Sequence, residues 1–216
     1  MPYDADTHQR RSIRLSGFDY AGPAAHFITI CAYRRRCVFG KIVPEEMQMN
    51  ALGEIVREEW LRTPGIRPGV EVDAFVVMPN HIHGIVVFTD VGAHCCAPLH
   101  RPPRSLGSLV AQWKATTTRR VNALPDMGGA RLWQRNYYDH VIRSDEEWAA
   151  ISAYIEANPA LWTYDRDNLL GDIPRQRDLR HALSAHGLAG RALDFIINYD
   201  LRYRTETQGR TAVCPV

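Results

Sequence analysis

An α+β fold, with an antiparallel sheet, helices packed on one face and a helical appendage at the C-terminus, is what this sequence predicts. Three observations carry the prediction. Short β-branched and aromatic runs alternate with longer stretches whose apolar residues recur at helical spacing. Two of the runs are parted only by Pro79 and Asn80, the spacing of a tight hairpin. The helical stretches open after Asn50, Ser105 and Ser144, of which Asn50 and Ser144 are read as caps that accept hydrogen bonds from the first free N–H groups of a helix.

In chain order, His26 to Tyr33 (HFITICAY) reads as a first strand. Asn50 caps a helix in which Leu52, Ile55, Val56 and Trp60 fall on one face, and Pro64 with Gly65 ends it. Val70 to Met78 and His81 to Phe88 form the two strands of an antiparallel hairpin, central in the sheet. Residues 89–104, rich in Pro, His and Cys, read as a loop. After Ser105, Leu106, Leu109, Val110, Trp113, Thr117, Val121 and Leu124 repeat as the buried face of a second helix. Leu132 to Arg143 (LWQRNYYDHVIR) reads as a fourth strand. Ser144 and Glu147 then make a capping box for a helix through Trp148, Ile151 and Ile155 that stops at Asn158, before Pro159. The order β-α-β-β-α-β, followed by one more helix, is the ferredoxin-like split βαβ arrangement. Beyond residue 170 only Ala192 to Tyr199 has an apolar period, so residues 169–216 read as a partly helical tail.

A chain of 216 residues fits one domain with a tail. No stretch approaches the roughly 20 apolar residues of a membrane span, and the polar start MPYDADTHQRR has no signal-like apolar core, so a cytoplasmic protein is expected. Cys31, Cys37, Cys95, Cys96 and Cys214 lack paired CxxC spacing and are read as reduced thiols; Cys95 and Cys96 near His94 and His100 lack the ligand spacing of a zinc site. A net charge of +2 leaves a nucleic-acid partner to be argued from distribution: Arg10, Arg11 and Arg14; Arg34, Arg35 and Arg36; and Lys114, Arg119 and Arg120 along one helix. Each cluster is equally a solvated face.

The chemistry is concentrated in two places. His81 and His83 flank Ile82 on a strand, so both imidazoles point to one face, as a two-histidine metal site needs. Tyr154 and Asn158 stand one helical turn apart, a hydroxyl nucleophile and an amide oxygen on one side of the last helix. Taken alone, the histidines could be structural, Tyr154 a half-buried core aromatic, and Asn158 a helix end.

The motifs VVMPNHIHGIVV (76–87), LWQRNYYDHVIR (132–143) and AYIEANPALW (153–162), with RRSIRLSGFDY and FITICAYRRRCVFG ahead of them, closely resemble the REP-associated tyrosine transposases. These are a branch of the small HUH single-tyrosine insertion-sequence transposases. The resemblance covers residues 10–168 and implies a transposase domain there. Residue by residue, it implies that His81 and His83 bind the metal and that Tyr154 is the nucleophile. Asn158 holds the place of a further polar ligand that is commonly glutamine in the family. Tyr137 and Tyr138 are rival nucleophiles by residue type but lie in the strand motif.

The implied activity is metal-dependent cleavage and strand transfer of single-stranded DNA through a 5′-phosphotyrosine intermediate, with Mg2+ or Mn2+. The implied substrate contains hairpins of the repetitive extragenic palindrome kind, and the protein acts as a monomer or a homodimer. Trp133, Trp113 or Tyr137 would stack on bases, and Lys114, Arg119, Arg120, Gln134, Arg135 and Arg143 would contact the strand. The alternatives are a non-catalytic single-stranded nucleic-acid-binding module of the same fold and a metal-dependent phosphohydrolase that uses water.

Overall fold

The fold is a computed structural model; it describes residues 23–89, 105–168 without 126, 130 and 166, and 176–198 without 191, 192 and 195. The elements in chain order are β1 (Ala24–Cys31), β2 (Gly40–Val43), β3 (Glu46–Met49), α1 (Ala51–Leu61), α2 (Thr63–Ile66), β4 (Val70–Val77), β5 (His81–Phe88), α3 (Leu106–Asn122), β6 (Tyr138–Ile142), α4 (Asp145–Ala157) and α5 (Gln176–Ala185). The basic residues Arg10, Arg11 and Arg14, the Cys- and His-rich stretch 90–104 and Cys214 lie outside the described residues.

β1 is buried from His26 to Cys31, as a strand covered on both faces must be. It pairs antiparallel with β5 on one side and β6 on the other, and β4 pairs outside β5. The order β4-β5-β1-β6, with α1 and α3 in the two crossovers, is the ferredoxin-like α+β arrangement that the element order predicted.

Alternation along the strands sorts the two faces of the sheet. Ile28 and Ile30 of β1 with Ile82 and Val86 of β5 pack under Leu52, Ile55, Val56 and Trp60 of α1 and Leu106, Leu109, Val110 and Trp113 of α3. Gly84 is required there: a Cβ on it would stand 2.5 Å from Trp60 Cζ2 and 3.1 Å from Phe75 Cδ2, two rings that stack at 4.6 Å. Phe27 and Ile85 emerge on the other face and meet Ile142 of β6 and Ile151 and Ile155 of α4. The two crossover helices therefore share one face as expected, while α4 covers the opposite one.

The helix starts follow the capping chemistry. Asn50 Oδ1 accepts from the Leu52 and Gly53 N–H groups at 3.0 and 3.1 Å, Ser105 Oγ from Ser108 at 3.3 Å, and Ser144 Oγ from Glu147 at 3.2 Å. The Glu147 carboxylate accepts from the Arg143 N–H at 2.7 Å, one residue before the position a capping box would use.

Several boundaries differ from the sequence expectation. The first strand stops at Cys31 because Arg34 and Arg35 take left-handed backbone angles, φ 57° and 52°, and bend Tyr33–Arg35 into a 3₁₀ turn. Pro64 and Gly65 do not end a helix; they lie in the one-turn α2, where Pro occupies a first-turn position that needs no N–H bond. The fourth strand is only Tyr138–Ile142: Trp133 makes an isolated bridge to Ala32, and the carbonyls of Gln134 and Asn136 are taken by the Lys114 ammonium at 2.9 Å each. The hairpin β2–β3, with Glu45 at φ 64° in its turn, had no counterpart in the expected elements, while α5 falls in the expected partly helical tail, ahead of its 192–199 period. In the tail, the described residues of the 192–199 period are helical. Its Leu193, Ile196 and Ile197 are buried with Leu179, Leu183 and Leu188 beside Ala153, Tyr154 and Ala157 of α4. Among the described residues no helix is long and apolar enough to cross a membrane, and neither Cys31 nor Cys37 forms a disulfide.

Candidate metal and nucleophile site

The register of β5 against β1 sets Cys31 opposite His81 and Thr29 opposite His83, so the histidines lie on the α4 face with Ile82 turned to the other. Both rings are buried, at 0 and 1 % exposure. The Asn80 amide donates through Nδ2 to the carbonyls of Arg35 at 3.1 Å and Asp167 at 2.6 Å. Its Oδ1 is thereby turned to His81 Nδ1, 2.8 Å away, and accepts a hydrogen bond from it. That places a hydrogen on His81 Nδ1, so that in the neutral ring the lone pair is on Nε2. His83 Nδ1 is held by Thr29 Oγ1 at 2.8 Å. The two Nε2 atoms then converge at 3.1 Å.

Asp165 completes the group. It follows the 3₁₀ turn Trp162–Tyr164, which its N–H closes at 3.2 Å to the Trp162 carbonyl. Its Oδ1 accepts from the Asp167 N–H at 2.6 Å, and its Oδ2 lies 3.5 Å from His81 Nε2. Asp167, 1 % exposed, pairs with the Arg35 guanidinium at 3.0 Å, which fastens this segment beside Asn80. One ligand atom each from His81, His83 and Asp165 lies within 4.8 Å of the others, a group able to hold a metal ion. Two imidazole nitrogens bound to one ion at ~2.1 Å stand about 3.0 Å apart at a right angle and about 3.4 Å apart in a tetrahedron, which brackets the spacing seen.

α4 brings the remaining two expected residues. The Tyr154 ring is half-buried, 5.5 Å from the His83 ring and edge-on to Phe27 at 6.4 Å. Asn158, 1 % exposed, has its Oδ1 buried without a hydrogen-bond partner among the described residues, while its Nδ2 reaches only back to the Tyr154 carbonyl at 3.5 Å. An orphaned oxygen of this kind fits a cation ligand, since leaving it bare is costly. Tyr154, Asn158 and Asp165 line one small pocket with Leu161 and Tyr164, closed by Leu179 and Ile196 of the tail. Of the rival tyrosines, Tyr138 stands opposite Thr29 on the sheet, and Tyr137 lies under the Lys114 ammonium at 5.7 Å.

Asp165 was missed by the sequence reading: no motif surrounds it, and only the turn after α4 carries it back to β5. The residues expected to contact DNA divide differently from the expectation. Trp133 is a core residue, 5 % exposed, its Nε1 donating to Thr117 Oγ1 at 2.8 Å and its ring against Phe39 and Trp113, so it offers no face for a base. Trp113, also 5 % exposed, lies in the same core. Lys114 is turned onto the 134–136 carbonyls, and burial pushes its ammonium down to about 8. Arg120 is consumed by Glu58 at 2.6 Å and Glu59 at 2.8 Å, tying α3 to α1. These hydrogen bonds and charges hold the Glu58 carboxyl below its usual range and raise the guanidinium. Gln134 is half-buried with its N–H on the Cys31 carbonyl at 3.0 Å, whereas Arg119, Arg135 and Arg143 are exposed.

A four-stranded antiparallel sheet, with two histidines on its central hairpin and a tyrosine-bearing helix laid over them, defines the class: a transposase-like α+β fold. Among solved structures, the REP-associated tyrosine transposase bound to a REP hairpin overlays with a TM-score of 0.50 at 20 % identity, over 83 % of this chain and 93 % of that one. The fold is that of the REP-associated tyrosine transposases, as the sequence motifs implied. A candidate transposase from Deinococcus radiodurans R1 aligns at 23 % identity over 66 % of this chain and 95 % of its own, with a TM-score of 0.34 that carries no weight. No family model matches the sequence. An uncharacterized protein of Haemophilus influenzae (strain Rd) is 38 % identical over 177 residues, 76 % of this chain and 96 % of that protein, and this chain belongs to its family.

Proposed function

We propose that this chain is a metal-dependent single-stranded DNA endonuclease and strand transferase of the HUH tyrosine transposase kind, with Tyr154 as nucleophile. One observation carries the reading: the Tyr154 ring lies on His83, 5.5 Å between centroids, within the same chain that assembles His81, His83 and Asp165. A monomer would therefore hold a whole site. Residues 10–168 would form the catalytic domain, and residues 169–216 a tail whose Leu179 and Ile196 wall its pocket. We place the activity in the cytoplasm, on hairpin-containing single strands like the REP hairpin held by the structural relative.

His81, His83 and Asp165 would hold a Mg2+ or Mn2+ ion, with Asn158 Oδ1 as a further oxygen. When bound, the ion neutralises phosphate oxygens and makes the phosphorus more open to attack. The chain's own residues do the rest. Thr29 and Asn80 hold the two imidazoles by Nδ1, so both Nε2 atoms keep one direction. Packing of the tyrosine ring on His83 and Phe27 fixes where its hydroxyl can reach. The Tyr154 oxygen bonds to phosphorus as the bond to the bridging 3′ oxygen breaks. The phenol proton passes to solvent and the departing 3′ oxygen takes one up from solvent, leaving a phosphotyrosine on the DNA 5′ end and a free 3′ hydroxyl. Because a phosphodiester is exchanged and not hydrolysed, attack by a second 3′ hydroxyl releases Tyr154 and joins strands without a nucleotide cofactor.

The test is to incubate the protein and its Tyr154→Phe variant with manganese and end-labelled hairpin single strands from the flanks of its gene, then resolve them on a denaturing gel. The expected result is label downstream of the cut moving with protein, dependent on metal and absent in the variant. Binding without adduct would instead identify a non-catalytic module, and cleavage without adduct a hydrolase that uses water.

A further inference from the structure

The turn Tyr33–Arg35 has a strained backbone and helps to gather two guanidinium groups that no carboxylate among the described residues pairs. Arg34 and Arg35 both sit in the left-handed region, at φ 57° and 52°, a conformation that side chains other than Gly, Asn and Asp seldom keep unless the surroundings enforce it. The enforcement is visible. The Tyr33 N–H donates to the Leu132 carbonyl at 2.7 Å, and the Ala32–Trp133 bridge locks the two segments together. The Arg35 carbonyl accepts from Asn80 Nδ2 at 3.1 Å.

The result is that two guanidinium groups share one aromatic ring: Arg131 lies over Tyr33 at 4.7 Å and Arg34 at 5.4 Å. Arg34 and Arg131 are exposed and form no ion pair with a carboxylate among the described residues. Arg35, next in sequence to Arg34, is by contrast bound to Asp167 at 3.0 Å. Two like charges gathered on one ring repel one another, and an anion placed between them relieves that repulsion. A planar ring beside two guanidinium forks matches a phosphodiester with its base, the phosphate on the arginines and the base against the aromatic edge. The turn is also joined to the histidine pair through one side chain, since Asn80 binds both the Arg35 carbonyl and His81.

We infer that Tyr33, Arg34 and Arg131 form a binding site for the phosphodiester backbone of a single nucleic-acid strand, held in register with His81 by Asn80. This rests on the reading of the histidine and tyrosine site as DNA-processing and names where the strand is gripped.

The experiment is fluorescence anisotropy of a labelled single-stranded hairpin oligonucleotide with EDTA, over a series of salt concentrations. It compares the full chain, the double variant Arg34→Gly/Arg131→Ala, and Arg57→Ala. Glycine at residue 34 keeps the left-handed backbone without strain, so the melting temperature should hold or rise. Arg57→Ala removes a charge that is paired with Glu54 at 2.8 Å on α1 and reports the effect of net charge alone. Each lost phosphate contact to a single strand lowers the slope of log affinity against log salt by ~0.7. The double variant is expected to lose about 1.4 in slope and roughly tenfold or more in affinity at 0.1 M salt, with Arg57→Ala unchanged. An unaltered slope in the double variant, or an equal loss in Arg57→Ala, overturns the inference while leaving the phosphotyrosine adduct to stand. Failure of the unmodified protein to bind the strand overturns the inference too, and the adduct assay with manganese then decides the reading on which it rests.

Discussion

The metal group can be tested through stability, without any DNA. In Asp165→Asn the amide keeps an oxygen to accept the Asp167 N–H, which Asp165 Oδ1 binds at 2.6 Å, so the turn after α4 is preserved. What changes is the charge of Oδ2, 3.5 Å from His81 Nε2. A metal at one hundred times its dissociation constant stabilises the folded chain by about 2.7 kcal/mol. For a chain of this length each kcal/mol moves the melting temperature by about 2–4 °C, so manganese should raise it by about 5–10 °C relative to EDTA. Loss of one charged ligand in three weakens such a site by ~100-fold or more, by analogy with the 10–100-fold cost of losing an outer-shell partner. At the same manganese concentration the variant would then gain only about 0.4 kcal/mol, roughly 1 °C. Differential scanning fluorimetry of both proteins across a manganese and a magnesium series reads these shifts directly. A flat melting temperature in the unmodified protein with both metals, or the same rise in Asp165→Asn, would refute the assignment.

Two other expectations concern the sheet beneath the site. Burial, with the charge of His140 second, pushes His26 down to about 4 from 6.5. The unfolded chain therefore takes up a proton that the folded chain refuses between those values. Stability is then present above pH 6.5 and is lost as pH falls through that window, by up to roughly 3 kcal/mol; urea midpoints at pH 7 and 4.5 should converge in His26→Phe, and an unchanged gap would sink the assignment. Gly84→Ala sets a methyl 2.5 Å from Trp60 Cζ2 and should cost about 1–3 kcal/mol by overpacking, seen as a lowered urea midpoint at unchanged slope; a midpoint equal to the parent's would mean that the Trp60–Phe75 stack yields freely.

What was legible in the sequence is what depends on neighbours along the chain. Asn50, Ser105 and Ser144 announce helix starts because a cap is a contact of two or three residues, and the structure finds all three in place. His81 and His83 share a face because a strand alternates, whatever lies elsewhere. The β2–β3 hairpin escaped notice because its turn, with Glu45 at φ 64°, lacks the Asn-Gly or Asp-Gly signature and its strands have only four residues each. Trp133, Lys114 and Arg120 have intramolecular partners that the sequence did not reveal, for a different reason. The residue types that grip nucleic acid are the same ones that fill cores and bridge helices, and only the tertiary partners, Thr117, the 134–136 carbonyls and Glu58 with Glu59, decide between the two uses. Asp165 was invisible because its approach to His81 is made by a turn and not by any spacing.

The two faces of one sheet argue that the polar cluster serves something other than folding. On the α1–α3 face, Ile28, Ile30, Ile82 and Val86 form an apolar core. One residue along the same strands, on the α4 face, Thr29, His81 and His83 are just as buried, and Asn80, Asn158 and Asp167 join them at 1 % exposure or less. Burying a polar group costs roughly 1–3 kcal/mol unless it is hydrogen-bonded, and apolar side chains of similar volume would meet no such cost. Thr29, Asn80 and Arg35 bind the far sides of these groups, the two Nδ1 atoms and the Asp167 carboxylate. The near sides are left to each other or bare: the His81 and His83 Nε2 atoms converge, Asp165 approaches them, and Asn158 Oδ1 has no partner among the described residues. A network satisfied on its outer side and incomplete toward the strand's histidines, where Tyr154 arrives from α4, is arranged for a ligand that the fold itself does not require.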